Sequence, residues 1–527
     1  MSLNESNLTK FTSARLFIFF ISVYLLTASV VNSYHIDAAE LLIQAARSLI
    51  ERFDLSLPEG VGMRGADGRY YSWLGIGFAL LAVPFYTIGE LVGSPEIAVS
   101  IMNQIFGAST VVLIFLFSIS LGYSRRASIL VSVLYGLATI AWPLSKQPFD
   151  HVMETFFVLL SVYFMHWYIL NKKVLLLLLS GVSLGVAFIT RITSILVIPP
   201  LLIMVTVYYV KRHDFKTTAR LITRDILLFS LAFLPFVVLN LWYNHYRFGS
   251  FFETGYSYIA MRMGIDFFTG TSLLTGLGGF LISPGKGFFF YSPVAVLFFF
   301  GIKSFLKRHL ELSLCFICTM LTYLFFLSKN IYWHGDWAWG PRYLLVITPV
   351  LIIPIAELFD SDAWLKNSAV RAIVCSIFVV SVIIQLAAIS VDFNKYFLNL
   401  RIDKKVEFTI AHSDGVQPII EPPIETYFDW QRSPIFAQFV FIRDIAEGMK
   451  HYKYSKHPDN AMNNEKFRVD PVLNVFDFWW LYKYFGENSY AGFAVAFTLL
   501  LIAILCASRL WKLAHTNTRI EDKIEIA

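Results

Sequence analysis

The residues able to do chemistry fall in a few short clusters between apolar runs. Asp37 follows the first apolar run, in Asn32-Ser33-Tyr34-His35-Ile36-Asp37-Ala38-Ala39-Glu40. Leu41, Leu42, Ala45, Leu49, Ile50 and Phe53 then recur at the spacing of an amphipathic surface helix. At its head Asp37 reads as an N-cap or as a carboxylate at a cavity mouth, and the two are compatible. Asp150 and Glu154 stand four residues apart beside His151, on one face if Asp150 opens a helix. They read as a capped helix start or as a second carboxylate pair. A divalent metal stays open, since ligation needs three or more ligands and this loop supplies fewer.

Cations and aromatics make up the other clusters. Arg191 lies between two apolar runs with almost no loop, so it must find a partner, an anion or water. Arg247 and Arg69 are further cations near the same membrane surface. Lys286 stands in Ser283-Pro284-Gly285-Lys286-Gly287, which lacks the G-x-x-x-x-G-K-[ST] spacing of a nucleotide loop. Its Lys and backbone N–H groups would suit a lipid-linked phosphate. The densest cluster, residues 329–343, carries Trp333, His334, Asp336, Trp337, Trp339 and Arg342. Belt anchoring accounts for part of its aromatic content. Indole faces also pack on sugars, and the Arg342 fork matches two phosphate oxygens.

These clusters must be held by membrane-spanning elements. The chain has 527 residues, 57% hydrophobic and 15% charged, with mean hydropathy +0.61. Soluble proteins carry about 25% charged residues, so a soluble, disordered or coiled-coil chain is excluded. The net charge of +6 fits loop bias better than nucleic-acid binding. Cys315, Cys318, Cys375 and Cys506 lie in apolar runs and imply no disulfide framework. The first apolar run, 16–33, has no cleavage signature of a signal peptide.

Runs near the length that crosses a bilayer fall at 16–33, 97–121, 127–143, 153–170, 174–190, 192–210, 226–243, 288–302, 312–328, 344–358, 372–391 and 491–508. Residues 70–92 form a thirteenth candidate. With it lying along the surface and the N-terminus cytoplasmic, the short cytoplasmic loops hold fourteen Lys and Arg and the short outer loops seven. That is the bias expected of a membrane protein. An N-terminus outside with thirteen crossings satisfies the later loops equally. The spans carry few ionisable groups and no clear repeat, which weighs against an ion-coupled transporter.

In their order, the acid after the first span, the surface helices, the Asp150/Glu154 loop, Thr190-Arg191, Ser283–Gly287 and Trp339-Gly340-Pro341-Arg342-Tyr343 resemble the GT-C superfamily of polytopic glycosyltransferases. The nearest branch resembles bacterial and archaeal protein O-mannosyltransferases and the aminoarabinose transferase, phospholipid carrier-dependent enzymes. The resemblance covers about residues 16–390 and implies that the N-terminus is inside. Two departures stand out. Ala38 replaces the second acid of the common Asp-Glu pair, with Glu40 two residues on, and no Lys-Pro-Pro element lies near Arg69–Trp73.

The expected fold is an all-α polytopic membrane protein. It has a core of about twelve transmembrane helices, juxtamembrane helices in the first outer loop, and a small extracytoplasmic α/β or irregular segment. The expected divisions are a core at 1–391, an outer segment at 392–490, and a last span and tail at 491–527. The resemblance implies inverting, extracytoplasmic transfer from a polyprenyl-phosphate sugar to an acceptor hydroxyl on protein, lipid or glycan, in a cell membrane. Asp37 would be the base. Lys286, Arg342, Arg191, Arg247 and Arg69 would meet the donor phosphate. Asp150, Glu154, His334, Asp336 and Trp337 would hold sugar or acceptor. No cofactor is certain. The rival readings are a transporter or flippase of lipid-linked substrates, and a non-catalytic scaffold.

Overall fold

The structure is a computed structural model. It describes residues 3–29, 37–263, 266, 268, 270–335, 338–361, 363–403, 409–413, 416–452, 475–481 and 490–515. Helices dominate: α1 (Leu3–Leu26), α2 (Asp37–Glu51), α3 (Gly77–Leu91), α4 (Pro95–Ser120), α5 (Arg125–Ala138), α6 (Asp150–Asn171), α7 (Val174–Thr190), α8 (Ile198–Val210), α9 (Phe215–Phe248), α10 (Leu310–Ser328), α11 (Ser368–Ser390) and α12 (Tyr490–His515). Among the described residues nine helical segments are long and apolar enough to cross a membrane. The other three expected spans are short or broken. Residues 127–143 divide into α5 and a short helix Ala141–Ser145, α7 has 17 residues, and 288–302 breaks into short helices around Pro293.

Local chemistry sets the helix ends. Pro95 starts α4 at a position where its missing N–H costs nothing. Asp214 caps α9 by accepting from the backbone N–H groups of Lys216 and Thr217, and Gly249 ends it at φ 76°. Helices α2 and α3 pack on each other. At 15 residues, α3 is about 22 Å long, short of the roughly 30 Å hydrocarbon core. Leu41, Leu42, Ala45 and Ala46 of α2 pack on Phe78, Ala79, Ala82 and Tyr86 of α3 and on Met153 of α6. Phe53 departs from the expected apolar stripe: it lies past the helix, at φ 54° and 91% exposed.

The first long loop and the expected outer segment are not separate units. Strands β1 (Ser56–Leu57), β2 (Met63–Arg64), β3 (Tyr70–Tyr71), β4 (Thr409–Ser413) and β5 (Val416–Glu421) form one antiparallel sheet in the order β1-β3-β2-β5-β4. Met63 pairs with Val416, so the backbone itself joins the two loops. Helices Asn394–Ile402 and Pro434–Tyr452 flank the second.

The aromatic run Phe476-Asp477-Phe478-Trp479-Trp480 gains a purpose here. Lys146 Nζ sits 2.8 Å from Asp477 Oδ2 and also donates to the carbonyls of Ile389 and Asp477. Ser29 donates to the same carboxylate. The indoles of Trp479 and Trp480 donate to Leu25 and Leu26 at the end of α1. One buried ion pair therefore ties together the ends of α1 and α11, the 145–149 turn and the 476–480 segment. Lys146→Met leaves the Asp477 carboxylate buried without its cation and should destabilise the protein by about 3–5 kcal/mol. Lys146→Met with Asp477→Leu should cost clearly less. Thermal unfolding of both variants in detergent checks this, and equal losses would show that the pair is not coupled.

Candidate functional site

The site grows from the head of α6. Phe149 precedes the helix without a side-chain cap, so Asp150 is not the cap that spacing allowed. The side-chain amide of Asn103, on α4, donates to the carbonyls of Gln147 and Phe149 and fixes the turn. Asp150 instead faces Arg191, whose Nη1 lies 3.0 and 3.1 Å from the two carboxylate oxygens. Arg191 Nε lies 3.2 Å from Glu154 Oε2. Glu154 Oε1 accepts from Thr193, Ser194 and Tyr323 at 3.0–3.1 Å. The i and i+4 acids of one helix face thus hold a single guanidinium, all three groups buried.

Arg191 occupies an extended break, φ −143°, between α7 and the 3-10 turn Ile192–Val197. That break turns its side chain toward α6 without a loop. Its guanidinium also stands 5.5 Å from the ring centre of Tyr343. Arg342 approaches the same ring at 5.3 Å and that of Phe149 at 5.0 Å. His151 lies between, 5.4 Å from Tyr343 and 3.0 Å from Asp150. Two cations and two carboxylates therefore gather around Tyr343. The arrangement can bind an oxyanion at Arg342 while the Arg191 charge is shared by its acids.

The Gly-Pro-Arg sequence supplies the approach. Gly340 takes φ 62° and its Cα abuts the Tyr291 ring, so a Cβ there would lie 2.8 Å from that ring. Pro341 then precedes the turn that Arg342 opens. Lys286 supports this turn from below. It is fully buried, and its Nζ donates to the Ala338 carbonyl at 2.8 Å. The Ser283–Gly287 turn does not offer the free N–H groups expected of it. Gly285 N–H donates to Tyr427, Gly287 N–H to Ser283, and Lys286 N–H to the Ser283 hydroxyl. A Cβ on Gly285 would meet the Tyr427 backbone at 2.7 Å, so the Gly-Lys-Gly pattern serves close packing.

Other expected residues fall elsewhere. Arg247 is buried and donates to the carbonyls of Ser72 and Leu74 and to Asn244. It fastens the first loop, so its donor-phosphate role is set aside. Arg69 is exposed on Asp67 and Asp54. Partial burial works against the Asp67 charge, but hydrogen bonds from Tyr71 and Arg69 outweigh it and lower that pKa. His334 stacks on Tyr427 at 4.5 Å. Trp333 and Trp339 are buried in ring packing, which answers their spacing better than sugar contact. Helix α2 begins at Asp37, but the Asp37 side chain, and Asp336 and Trp337 entirely, lie outside the described residues. Met153, in the first turn of α6, belongs to one packed cluster with Leu41 and Leu42, in the second turn of α2. Among the described residues no group of three His, Cys, Asp or Glu could hold a metal ion.

Sequence reasoning missed Tyr323, Thr193 and Ser194 as carboxylate partners, and Asn103 as the clamp. A hydroxyl or amide within a span was the only available signal.

A family model described as dolichyl-phosphate-mannose-protein mannosyltransferase matches residues 82–243, the stretch that holds Asp150, Glu154 and Arg191. No curated protein matches the chain. Among solved structures, ArnT from Cupriavidus metallidurans bound to undecaprenyl phosphate is 14% identical, with 97% of this chain and 79% of that chain covered, at a TM-score of 0.47. Its apo form is 13% identical over 96% and 78%, at 0.49. The apo oligosaccharyltransferase of Archaeoglobus fulgidus is 11% identical over 76% of this chain and 58% of that chain, at 0.50, and shares the fold. The chain is thus similar to that mannosyltransferase family over the segment that holds the acid–arginine cluster at the head of α6, and it shares its fold with a membrane oligosaccharyltransferase.

Proposed function

We propose that the protein transfers a sugar from a polyprenyl-phosphate donor to an acceptor hydroxyl, with inversion, on the extracytoplasmic side of a cell membrane. The observation that carries this reading is the gathering of Arg342 and Arg191 around Tyr343, above two buried carboxylates. The family model that covers Asp150, Glu154 and Arg191 of this cluster describes enzymes of a lipid-phosphate sugar, which supports the donor class. The loop charge bias supports a cytoplasmic N-terminus, with the site on the other side.

In this reading Asp37 is the general base. A carboxyl with an ordinary pKa near 3.9 is ionised at neutral pH and accepts the acceptor's proton. The freed oxygen attacks the anomeric carbon opposite the phosphate. As that bond breaks, charge builds on the departing polyprenyl phosphate, and Arg342 stabilises it. One such contact near 4 Å is worth about 4 kcal/mol at an effective dielectric of 20. Arg191, tied to Asp150 and Glu154, contributes less charge and holds Tyr343 and the α6 head in position. Lys286 holds the 338–340 turn from behind. Asp150 and Glu154 act through Arg191 rather than on the acceptor.

Purified protein supplied with radiolabelled polyprenyl-phosphate sugars tests the reading. Asp37→Asn should abolish turnover and leave donor binding within about twofold of wild type, because the base acts only in the chemical step. Full activity in that variant removes the mechanism. Arg342→Ala should lower donor affinity and kcat/KM together, by about a hundredfold or more, the cost of losing one charge-stabilising donor. A change in kcat alone would move Arg342 away from the phosphate. Sugar transfer in detergent, with no membrane to cross, separates an enzyme from a flippase.

A further inference from the structure

A second polar cluster lies at the opposite membrane surface, at the far ends of α6, α8 and α9. There a partly open apolar cavity runs between α6, α7, α8 and α9. Met165, Val205 and Phe229 line it, and Leu202 and Ile226, 38% and 40% exposed, form its lipid-facing flank. Its one acidic lining residue is Asp225, 4% exposed. That carboxylate accepts from the Tyr209 hydroxyl at 2.7 Å and from Arg224 Nε and Nη2 at 3.0 and 2.8 Å. Arg224 Nη2 also donates to the Tyr168 hydroxyl. Arg224 is thus anchored at the cavity end with its side chain half exposed.

Further cations are held beside it. Lys172 closes α6 in the left-handed region, at φ 55°. This carries its Nζ to 3.9 Å from the Tyr208 ring centre and 4.3 Å from that of Tyr209. Arg212 covers Tyr208 at 3.9 Å and shares Glu311 with Lys211. The rim carries four cations against two carboxylates. Loop charge bias alone accounts for cations at this surface. It does not account for two of them fixed on one tyrosine and a third anchored by a carboxylate that lines an apolar cavity.

A hydrocarbon slot ending in preorganised cations matches a ligand with an acyl chain and an anionic head. We propose that this is a binding site for an anionic phospholipid of the leaflet opposite the candidate active site. One acyl chain lies in the cavity, and the phosphate diester rests among Arg224, Lys172 and Arg212.

Native mass spectrometry of the purified full chain, titrated with phosphatidylglycerol or phosphatidylcholine of identical chains, tests this. Wild type should retain phosphatidylglycerol about thirtyfold more strongly, the scale of two surface cations. Lys172→Gln with Arg224→Gln should bring the two lipids within about twofold of each other. If that pair misfolds, Lys172→Gln with Arg212→Gln, on exposed groups, serves instead with the same expectation. Val205→Phe, which fills the cavity, should weaken retention of both lipids. Equal retention by wild type, or a preference untouched by the charge variants, overturns the proposal. So does glycerol 3-phosphate competing as well as the lipid, which would make this a site for free phosphate.

Discussion

A guanidinium buried between two carboxylates at the edge of the hydrocarbon is the constraint on which the candidate site depends. Arg191 has almost no loop to reach water, so its charge must be met inside the protein. Asp150 and Glu154 meet it from one helix face, and Thr193, Ser194 and Tyr323 satisfy the remaining oxygen of Glu154. Removing either carboxylate would leave the cation underpaired at a depth where each such loss costs several kcal/mol. The cluster thereby fixes where α6 begins, where α7 ends and how the Tyr343 ring stands. Those three elements carry most of the polar groups that the proposed chemistry draws on, Asp37 and Lys286 apart.

Around this centre the other loops act as clamps. Arg247 fastens residues 66–74, Lys286 supports 338–340, and Tyr427 covers the Ser283–Gly287 turn. The Lys146–Asp477 pair locks the end of α1 to the turn that precedes Asp150. Several cations that could have met a phosphate are thus committed to backbone carbonyls. Arg342 stands over the rings of Phe149 and Tyr343, beside the Arg191 cluster. Burying cations on carbonyls is a structural solution: it lets long loops fold against a membrane core without regular secondary structure.

The membrane class, most of the spans and the helical pattern of α2 were legible in the sequence. Apolar run length and periodicity report directly on burial in lipid. Breaks inside spans were not, because Pro293 and Thr139 interrupt helices without changing hydropathy. The site was legible as a set of residue types and illegible as roles. Arg191, Asp150 and Glu154 were singled out separately, but their mutual pairing is a contact between helices, invisible to spacing along the chain. Lys286 resembled a phosphate lysine because a tight Gly-Lys-Gly turn looks the same whether it cradles an anion or Tyr427. The sheet joining residues 63 and 416 was likewise beyond reach, since strands of two residues leave no pattern.

The account stands most directly on whether Arg191 and Glu154 act as one unit. A double-mutant cycle of Arg191→Gln and Glu154→Gln, read in both thermal stability and sugar transfer, measures this. The account predicts strong coupling: each single change is severe, and the double variant is no worse than the harsher single, with a coupling energy of about 1–3 kcal/mol. Additive losses would contradict it, because Arg191 would then act on the substrate independently of the carboxylates that surround it.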